Sequence, residues 1–344
     1  MKLVVNIPCL NEEYTIPLVI KDIPKQIPGI DKIEIQIVDD GSTDRTVEVA
    51  KKLGVDRVII HKTNQGLGNA FKHGMQVALE VGADIFVNTD ADNQYPSRYI
   101  PNLVKPIINQ ETDIVIGNRR PWKVKHFSLL KRVLQRFGNW ATRNVLGSDV
   151  PDVVSGFRAY NKEAMLKINV TTKFSYVLDT IMQAVQKGLK IKSIDIETNP
   201  PIRKSRLFDN IFQHMRKSGA NLIRMYYLYE PLKTFTYLSA TTFIPGLILL
   251  VRWFYYYFNN LGGGKMQSLV IGLMLLVASI LLFGLGIIGD SIKTNRTMIE
   301  EEIYLLKKKI SQKRRMGGKN DSSNTWDKST AYQNGSRYAG TPKE

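Results

Sequence analysis

Val87-Asn88-Thr89-Asp90-Ala91-Asp92-Asn93-Gln94-Tyr95-Pro96 is the stretch on which the reading of this chain turns. A short apolar run, Ile85 to Val87, ends in a cluster of acids and amides and then a proline turn. Two carboxylates separated by one small residue can both reach a hard divalent cation in a tight turn, and Gln94 adds an amide oxygen two residues on. Mg2+ prefers oxygen ligands and takes one or two carboxylates together with substrate phosphates. A cation bridging a diphosphate neutralises the charge that develops on a leaving nucleoside diphosphate.

The same pattern recurs upstream. Leu3 to Ile7 leads into Pro8-Cys9-Leu10-Asn11-Glu12-Glu13, and Ile33 to Val38 into Asp39-Asp40-Gly41-Ser42-Thr43-Asp44. Further apolar runs are Val55 to Ile60 and Ile114 to Ile116, with helical-period segments between them at Thr43 to Leu53 and Leu67 to Val81. Strands alternating with amphipathic helices predict an α/β fold with βαβ units and a mostly parallel sheet. Acidic residues then stand at the C-terminal ends of three parallel strands, outside which open α/β sheets bind ligands. Ser42 or Thr43 can also cap the next helix, and one such cluster is often no more than that. Three on one edge make a binding site.

After the third strand comes Asn64-Gln65-Gly66-Leu67-Gly68-Asn69-Ala70. Phe71 stands where a dinucleotide fingerprint needs its third small residue, and the first strand is followed by Pro-Cys-Leu-Asn-Glu rather than glycines, so NAD binding is excluded. These glycines also let a helix lie close on the sheet.

Composition narrows the classes further. The 344 residues suffice for one large or two ordinary domains, and 43% apolar content excludes wholesale disorder. The single cysteine, Cys9, excludes an intramolecular disulfide, and four histidines leave little for His-rich metal chemistry. Lys and Arg number 48 against 31 acids, a net charge of +17 that suits nucleic acid, an anionic membrane or phosphorylated ligands. No helix-turn-helix, zinc-finger or RNA-recognition signature is present, so nucleic acid is set aside.

The chain changes character near Thr234. Phe235 to Val251 carries no charge, and Arg252 is followed by six aromatics, Trp253 to Phe258, suited to a membrane interface. Met266 to Gly289 is also uncharged; at about 1.5 Å per residue it reaches ~36 Å, enough for a ~30 Å hydrocarbon core. The expected organisation is a domain over 1–200, amphipathic interfacial helices over 201–233, spans at 234–258 and 266–290 joined by an external loop at 259–265, an amphipathic helix at 291–315 and a disordered tail at 316–344. Ile299, Ile303, Leu306 and Ile310 repeat at helical spacing, which suits a helix lying on the membrane, one pairing with a second copy, or equally a plain solvated helix; pairing there and through the hairpin would give a homo-oligomer. Basic residues flank both outer ends of the hairpin, and the run before Pro8 is too short for a signal peptide. An integral membrane protein with catalytic domain and C-terminus in the cytoplasm is expected.

Taken together, Pro8 with Asn11-Glu12, Asp39-Asp40-Gly41-Ser42, Asn64 with Gly66 and Gly68, Asp90-Ala91-Asp92 with Gln94 and Pro96, Gly117 with Arg119, and Asp152 with Ser155-Gly156-Phe157-Arg158 resemble family 2 glycosyltransferases of the GT-A fold, in particular the dolichol-phosphate mannose synthase group. The resemblance covers residues 3 to 230. It implies inverting transfer from a nucleotide sugar, with Pro8, Leu10, Glu12, Asp39 and Asp40 lining the nucleoside pocket and Gly66 near the base. Asp90, Asp92 and Gln94 would hold Mg2+ or Mn2+ on the diphosphate, with Ala91 part of the same donor-binding turn. Asn93 and Tyr95 stand where relatives often carry Leu and His. Arg252-Trp253 lacks the Gln of the Gln-x-x-Arg-Trp motif of processive synthases, which argues against a polymerase.

A hydroxyl acceptor needs a base, whereas a phosphate monoester, with second pKa about 6, is already largely a dianion and needs cations to position it. Arg119, Arg120, Lys123, Lys125, Lys131, Arg132, Arg136 and Arg143 precede the next acid, Asp149, and a second basic stretch begins at Arg203. Most of these suit a face drawn to anionic headgroups, at ~1 kcal/mol per residue near the surface. Arg119 at a strand end, Arg132 by the resemblance and Arg203 after Pro200-Pro201 are assigned to the acceptor phosphate, with Ser155 as a further donor. Asp179 falls where relatives place an acid, and reads equally as a helix-surface carboxylate. The expectation is a metal-dependent transfer of a hexose, from a GDP-mannose or UDP-glucose type donor, to a polyprenyl or dolichyl phosphate. The alternative is a hydroxyl acceptor, glycolipid or glycan, with Asp179 as base.

Overall fold

The computed structural model describes residues 1–120, 150–170, 176–200, 224, 227–259 and 266–317. They divide into two units, Met1–Ser205 with Ile303–Glu344, and Arg206–Glu302.

In the first unit the apolar runs become strands of a mixed sheet. Strand β1 (Lys2–Cys9) is buried along nearly its whole length, as expected of a central strand covered on both faces. It pairs in parallel with β2 (Lys32–Asp39) and β4 (Ile85–Asn88), and β2 pairs in parallel with β3 (Arg57–Ile60). Helices α1 (Ile16–Lys21), α2 (Thr46–Lys52) and α3 (Leu67–Glu80) make the crossovers. In register Cys9 lies beside Asp39 and Asn6 beside Asn88, and Thr89 extends that ladder by donating its N–H to Asn6 O at 3.0 Å. The ends of β1, β2 and β4 therefore meet at one edge.

Beyond α4 (Ile100–Ile108), β5 (Ile114–Asn118) does not pair with β4. Strand β6 (Arg158–Asn161) lies between them, antiparallel to both, and β7 (Ile191–Asp195) runs parallel to β5. The order is β3-β2-β1-β4-β6-β5-β7. Helices α5 (Lys162–Lys167) and α6 (Tyr176–Gln186) follow β6.

A polar ladder crosses this sheet. Gln36 Nε2 donates to Asn6 Oδ1 at 2.8 Å and to Gly74 O at 2.6 Å; Asn6 Nδ2 donates to Asn88 Oδ1 at 2.8 Å, and Asn88 Nδ2 to the Tyr176 hydroxyl at 2.8 Å. Gly74 has no room for a side chain, because a Cβ there would stand 2.2 Å from Asn6 Oδ1. Buried amides tolerate this environment only when paired, so the ladder fixes α3, three strands and α6 in one arrangement.

The second unit contains α7 (Pro231–Phe258) and most of α8 (Met266–Gly317), both long and apolar enough to cross a bilayer. They approach closely at Gly246 and Gly272, where a Cβ on either would lie 3.1 Å from the other's carbonyl oxygen, and Ser239 and Ser279 share a 2.8 Å hydrogen bond. Small residues at the crossing are the usual device of packed membrane helices. Helix α8 continues without a break through 290–291, where the composition turns from apolar to charged. No proline interrupts that stretch, and the Arg296–Glu300 pair at 2.8 Å supports it one turn on. Ile299, Leu306 and Ile310 remain exposed, while Tyr304 and Lys307 hydrogen-bond to Glu163 of α5 and to Asn169 just beyond it.

Candidate active site

The first two strand ends are stitched into one surface. Pro8 is buried at the end of β1 and Leu10 half-buried beyond it. Asn11 adopts a left-handed φ of 56°, and its N–H donates to Ser42 Oγ while its Oδ1 accepts from Thr43 N, both at 2.8 Å. Glu12 is buried and accepts from Thr15 Oγ1 at 2.7 Å. Asp39 is buried and accepts from Ser42 N at 3.0 Å. Burial, then the Asp39 charge, push the Cys9 thiol well up, so it stays protonated.

Asp40 shapes the loop that opens α3. Its Oδ1 accepts from Gln65 N at 2.9 Å and meets His61 Nδ1 at 2.7 Å, and its Oδ2 accepts from Gly66 N at 2.8 Å. Burial opposes its charge, but His61 and the two amides win and hold the carboxyl below its usual range. Gly66 turns the chain at φ 92°. His61 Nε2 lies 3.0 Å from His73 Nδ1 with the rings stacked. Sequence reasoning passes over this pair; the one signal is a histidine directly after the apolar run that ends at Ile60.

At the end of β4, Ala91 is buried, and Asp90, Asp92 and Gln94 are partly so. Asp92 Oδ1 accepts from Gln94 N at 3.0 Å, closing the turn, and Asn93 holds a φ of 60°. Asp90 is pushed up to about 7, first by burial and then by the charge of Asp92, against the weaker pull of Arg119 and Arg158. Among the described residues no group of three or more His, Cys, Asp and Glu side chains converges on a metal position. The protein's own share is thus an adjacent pair of hard oxygen donors, Asp90 and Asp92. That fits a divalent cation completing its shell with phosphate and water.

Beneath this pair lies a buried framework. Gly156 faces Asp90: a Cβ there would stand 3.0 Å from both carboxylate oxygens and from the Tyr176 hydroxyl. Its N–H donates to the Tyr95 hydroxyl at 3.2 Å, and burial pushes that phenol up to about 12. Arg119 donates from Nε and Nη2 to Asp152 at 2.7 and 3.0 Å. Burial opposes the Arg119 charge, yet Tyr95, Asp152 and Asp90 hold it firmly protonated. Its fork is occupied by Asp152, in a place where the sequence assigns it to an acceptor phosphate. Arg158, wholly buried, donates to Ser155 O, Val177 O, Thr180 Oγ1 and Val153 O at 2.7 to 2.9 Å. Ser155 is fully buried, its Oγ without a partner among the described residues. Asp179 is not a surface carboxylate: it is fully buried on α6 and accepts from Gln183 Nε2 at 3.0 Å. Arg132 and Arg203 lie outside the described residues.

The mixed sheet and its strand-end edge are of the GT-A type. Over 66% of this chain and 78% of the other, it resembles the crystal structure of glucosyl-3-phosphoglycerate synthase from Mycobacterium tuberculosis in complex with Mn2+, UDP and glucosyl-3-phosphoglycerate (TM-score 0.50, 23% identity), a likeness of fold. The family model described as Glycosyl transferase family 2 matches residues 4–168. An uncharacterized protein of Methanocaldococcus jannaschii is 37% identical over 200 residues, covering 56% of this chain and 80% of that protein. The UDP-N-acetylglucosamine–dolichyl-phosphate N-acetylglucosaminyltransferase of Methanococcus voltae is 30% identical over 213 residues, covering 56% of this chain and 83% of that protein. The chain belongs to glycosyltransferase family 2, and it is a glycosyltransferase.

Proposed function

We propose that the protein transfers a hexose, with inversion, from a nucleoside-diphosphate sugar to a polyprenyl or dolichyl phosphate at the cytoplasmic face of a membrane. The observation that carries this reading is the strand-end pair Asp90 and Asp92, two carboxylates one residue apart at the end of β4, with Asp92 closing the turn onto Gln94 N and Asp90 faced by Gly156. Such a pair suits a divalent cation with a diphosphate on it. The Methanococcus voltae relative, whose name specifies a dolichyl-phosphate acceptor, and the two membrane-length helices support a lipid-borne acceptor.

In this reading Pro8, Leu10, Glu12, Asp39, Asp40 and Gly66 shape the nucleoside end of the site. Asp90 and Asp92, with Gln94 beside them, hold Mg2+ or Mn2+, which when bound supplies Lewis-acid neutralisation of the departing diphosphate. Arg119, locked by Asp152, keeps positive potential beneath the acidic pair. The acceptor phosphate attacks the anomeric carbon as its oxygen–carbon bond forms and the sugar–diphosphate bond breaks. It arrives already ionised, so no side chain has to remove a proton. Arg132 and Arg203 are its cationic partners, with Ser155 and Asp179 in the framework on the acceptor side.

The test is incubation of purified protein with polyprenyl phosphate, Mg2+ or Mn2+ and a panel of labelled nucleotide sugars, scoring label that enters the organic phase. Metal-dependent label in a lipid cleaved by mild acid, absent with Asp92→Asn, is the expected result. Nucleotide binding without lipid labelling by any donor would move the reading to a hydroxyl acceptor with Asp179 as base. Full transfer by Asp92→Asn would overturn the metal assignment.

A further inference from the structure

The end of α8 belongs to the same unit as the catalytic domain, and its contacts there are specific. Lys307 Nζ donates to Asn169 Oδ1 at 2.6 Å and to Ile168 O at 3.2 Å. Tyr304 Oη donates to Glu163 Oε1 at 3.1 Å, and Lys308 Nζ donates in turn to Tyr304 Oη at 3.2 Å. The segment that Lys307 grips follows α5, whose final carbonyls have no partner within their own helix. Two ammonium groups serve that end: Lys187 reaches Lys167 O at 2.6 Å, and Lys307 reaches Ile168 O. Cations at a helix C-terminus also complement its dipole.

From Asn169 the contact continues inward. Asn169 N donates to Gln183 Oε1 at 2.8 Å, and Gln183 Nε2 donates back to Asn169 O at 2.6 Å. The same Nε2 donates to Asp179 Oδ1 at 3.0 Å. With both ends of its amide engaged, Gln183 has one orientation available, and that orientation presents a donor to Asp179. Asp179 and Gln183 share the face of α6 that also carries Tyr176 and Thr180. Tyr176 meets Asn88 and the Gly156 turn under Asp90, and Thr180 accepts from Arg158.

We propose that Lys307 is a positioning residue, and that residues 303–311 form a strap that fixes the Ile168–Val170 segment and, through Gln183, sets the Asp179 carboxylate for the acceptor half of the reaction. The proposal rests on the reading of Asp179 as an acceptor-side group. Lys307 touches no substrate; it acts through Asn169 and Gln183. This gives a role to a segment that lies beyond the matched family region, residues 4–168.

The test uses the full chain in vesicles containing polyprenyl phosphate, comparing Lys307→Met, Lys307→Arg, Asp179→Asn and Lys307→Met/Asp179→Asn. Lys307→Gln, which keeps a donor and loses the charge, serves if Lys307→Met does not fold. Lys307→Met is expected to lower kcat/KM for the acceptor about ten-fold or more, because small misplacements of a reacting framework are that costly. Affinity for the nucleoside diphosphate, read directly by binding of UDP or GDP, should stay unchanged. Lys307→Arg should restore most of the rate. The double variant should be no slower than Asp179→Asn, since residues acting through one contact are not additive. Equal loss of nucleotide affinity would mean a general structural role and overturn the proposal, as would multiplicative losses in the double variant. If Asp179→Asn is impaired and Lys307→Met is not, the strap is wrong and the reading of Asp179 stands. If Asp179→Asn itself transfers at full rate, that reading is wrong on its own account.

Discussion

Asp90→Asn should stabilise the metal-free protein. In the unfolded chain this carboxyl releases its proton near 3.8; in the fold, burial and Asp92 hold the proton to about 7. Between those values the folded state binds more protons than the unfolded one, so stability falls as pH rises, and it levels off above 7. The full cost is about 4 kcal/mol at pH 8 and about 2 kcal/mol at pH 5, at roughly 1.4 kcal/mol for each tenfold change in proton affinity. Asparagine has the shape of the protonated acid and carries no charge, so the substitution recovers that amount. For a domain of this size the gain corresponds to roughly 10 °C in Tm at pH 8 and about half that at pH 5. The assay is thermal unfolding in detergent with EDTA, wild type against Asp90→Asn at both pH values. Mn2+ should then raise the wild-type Tm at pH 8 and leave the variant unmoved. An unstabilised variant at pH 8, or an equal gain at both pH values, would refute the reasoning, because either outcome denies that Asp90 is ionised at a cost.

Three further outcomes are expected. Gly74→Ala forces a methyl to 2.2 Å from Asn6 Oδ1 and should destabilise by about 2 kcal/mol or more, measured as a lower denaturation midpoint. Arg158→Met leaves the carbonyls of Ser155, Val177 and Val153 without their donor and should cost about 3 kcal/mol or more in the same assay. Asn259→Cys, at the end of α7, should react with a membrane-impermeant maleimide in intact cells if the loop faces out; Cys9, buried and protonated, adds little background.

The half of the sheet built from β1 to β4 is legible in the sequence because its strands are short apolar runs, three of which, β1, β2 and β4, are closed by acids. Strand β6 is not. Arg158-Ala159-Tyr160-Asn161 is four residues long and begins with a cation, and what permits that cation to be buried is a set of carbonyls from Val153, Ser155 and Val177. Local pattern cannot show partners brought together by the fold. The same limit applies to Asp179, whose burial depends on Gln183 one turn along and on the packing of α6, and to Lys307, which lies 138 residues from Asn169. Residue types at the strand ends were readable; how each is compensated was not.

That compensation is where the site declares itself. Asp40 has His61 and two amides, Asp39 has Ser42 N, Glu12 has Thr15 Oγ1 and Asp152 has Arg119. Glu13, Glu34, Asp40, Asp44, Glu48 and Glu111 are all lowered, whereas Asp90 is raised. The chain carries a net charge of +17, so cations are not scarce, yet the fold commits Arg119 to Asp152 and Arg158 to carbonyls instead of bringing either fork to Asp90. A uniformly compensated edge would be a stable surface with nothing left to bind. Burying the Asp90 carboxylate beside that of Asp92 destabilises the metal-free protein by the amount worked out above, and a divalent cation carrying a diphosphate offsets that cost on binding.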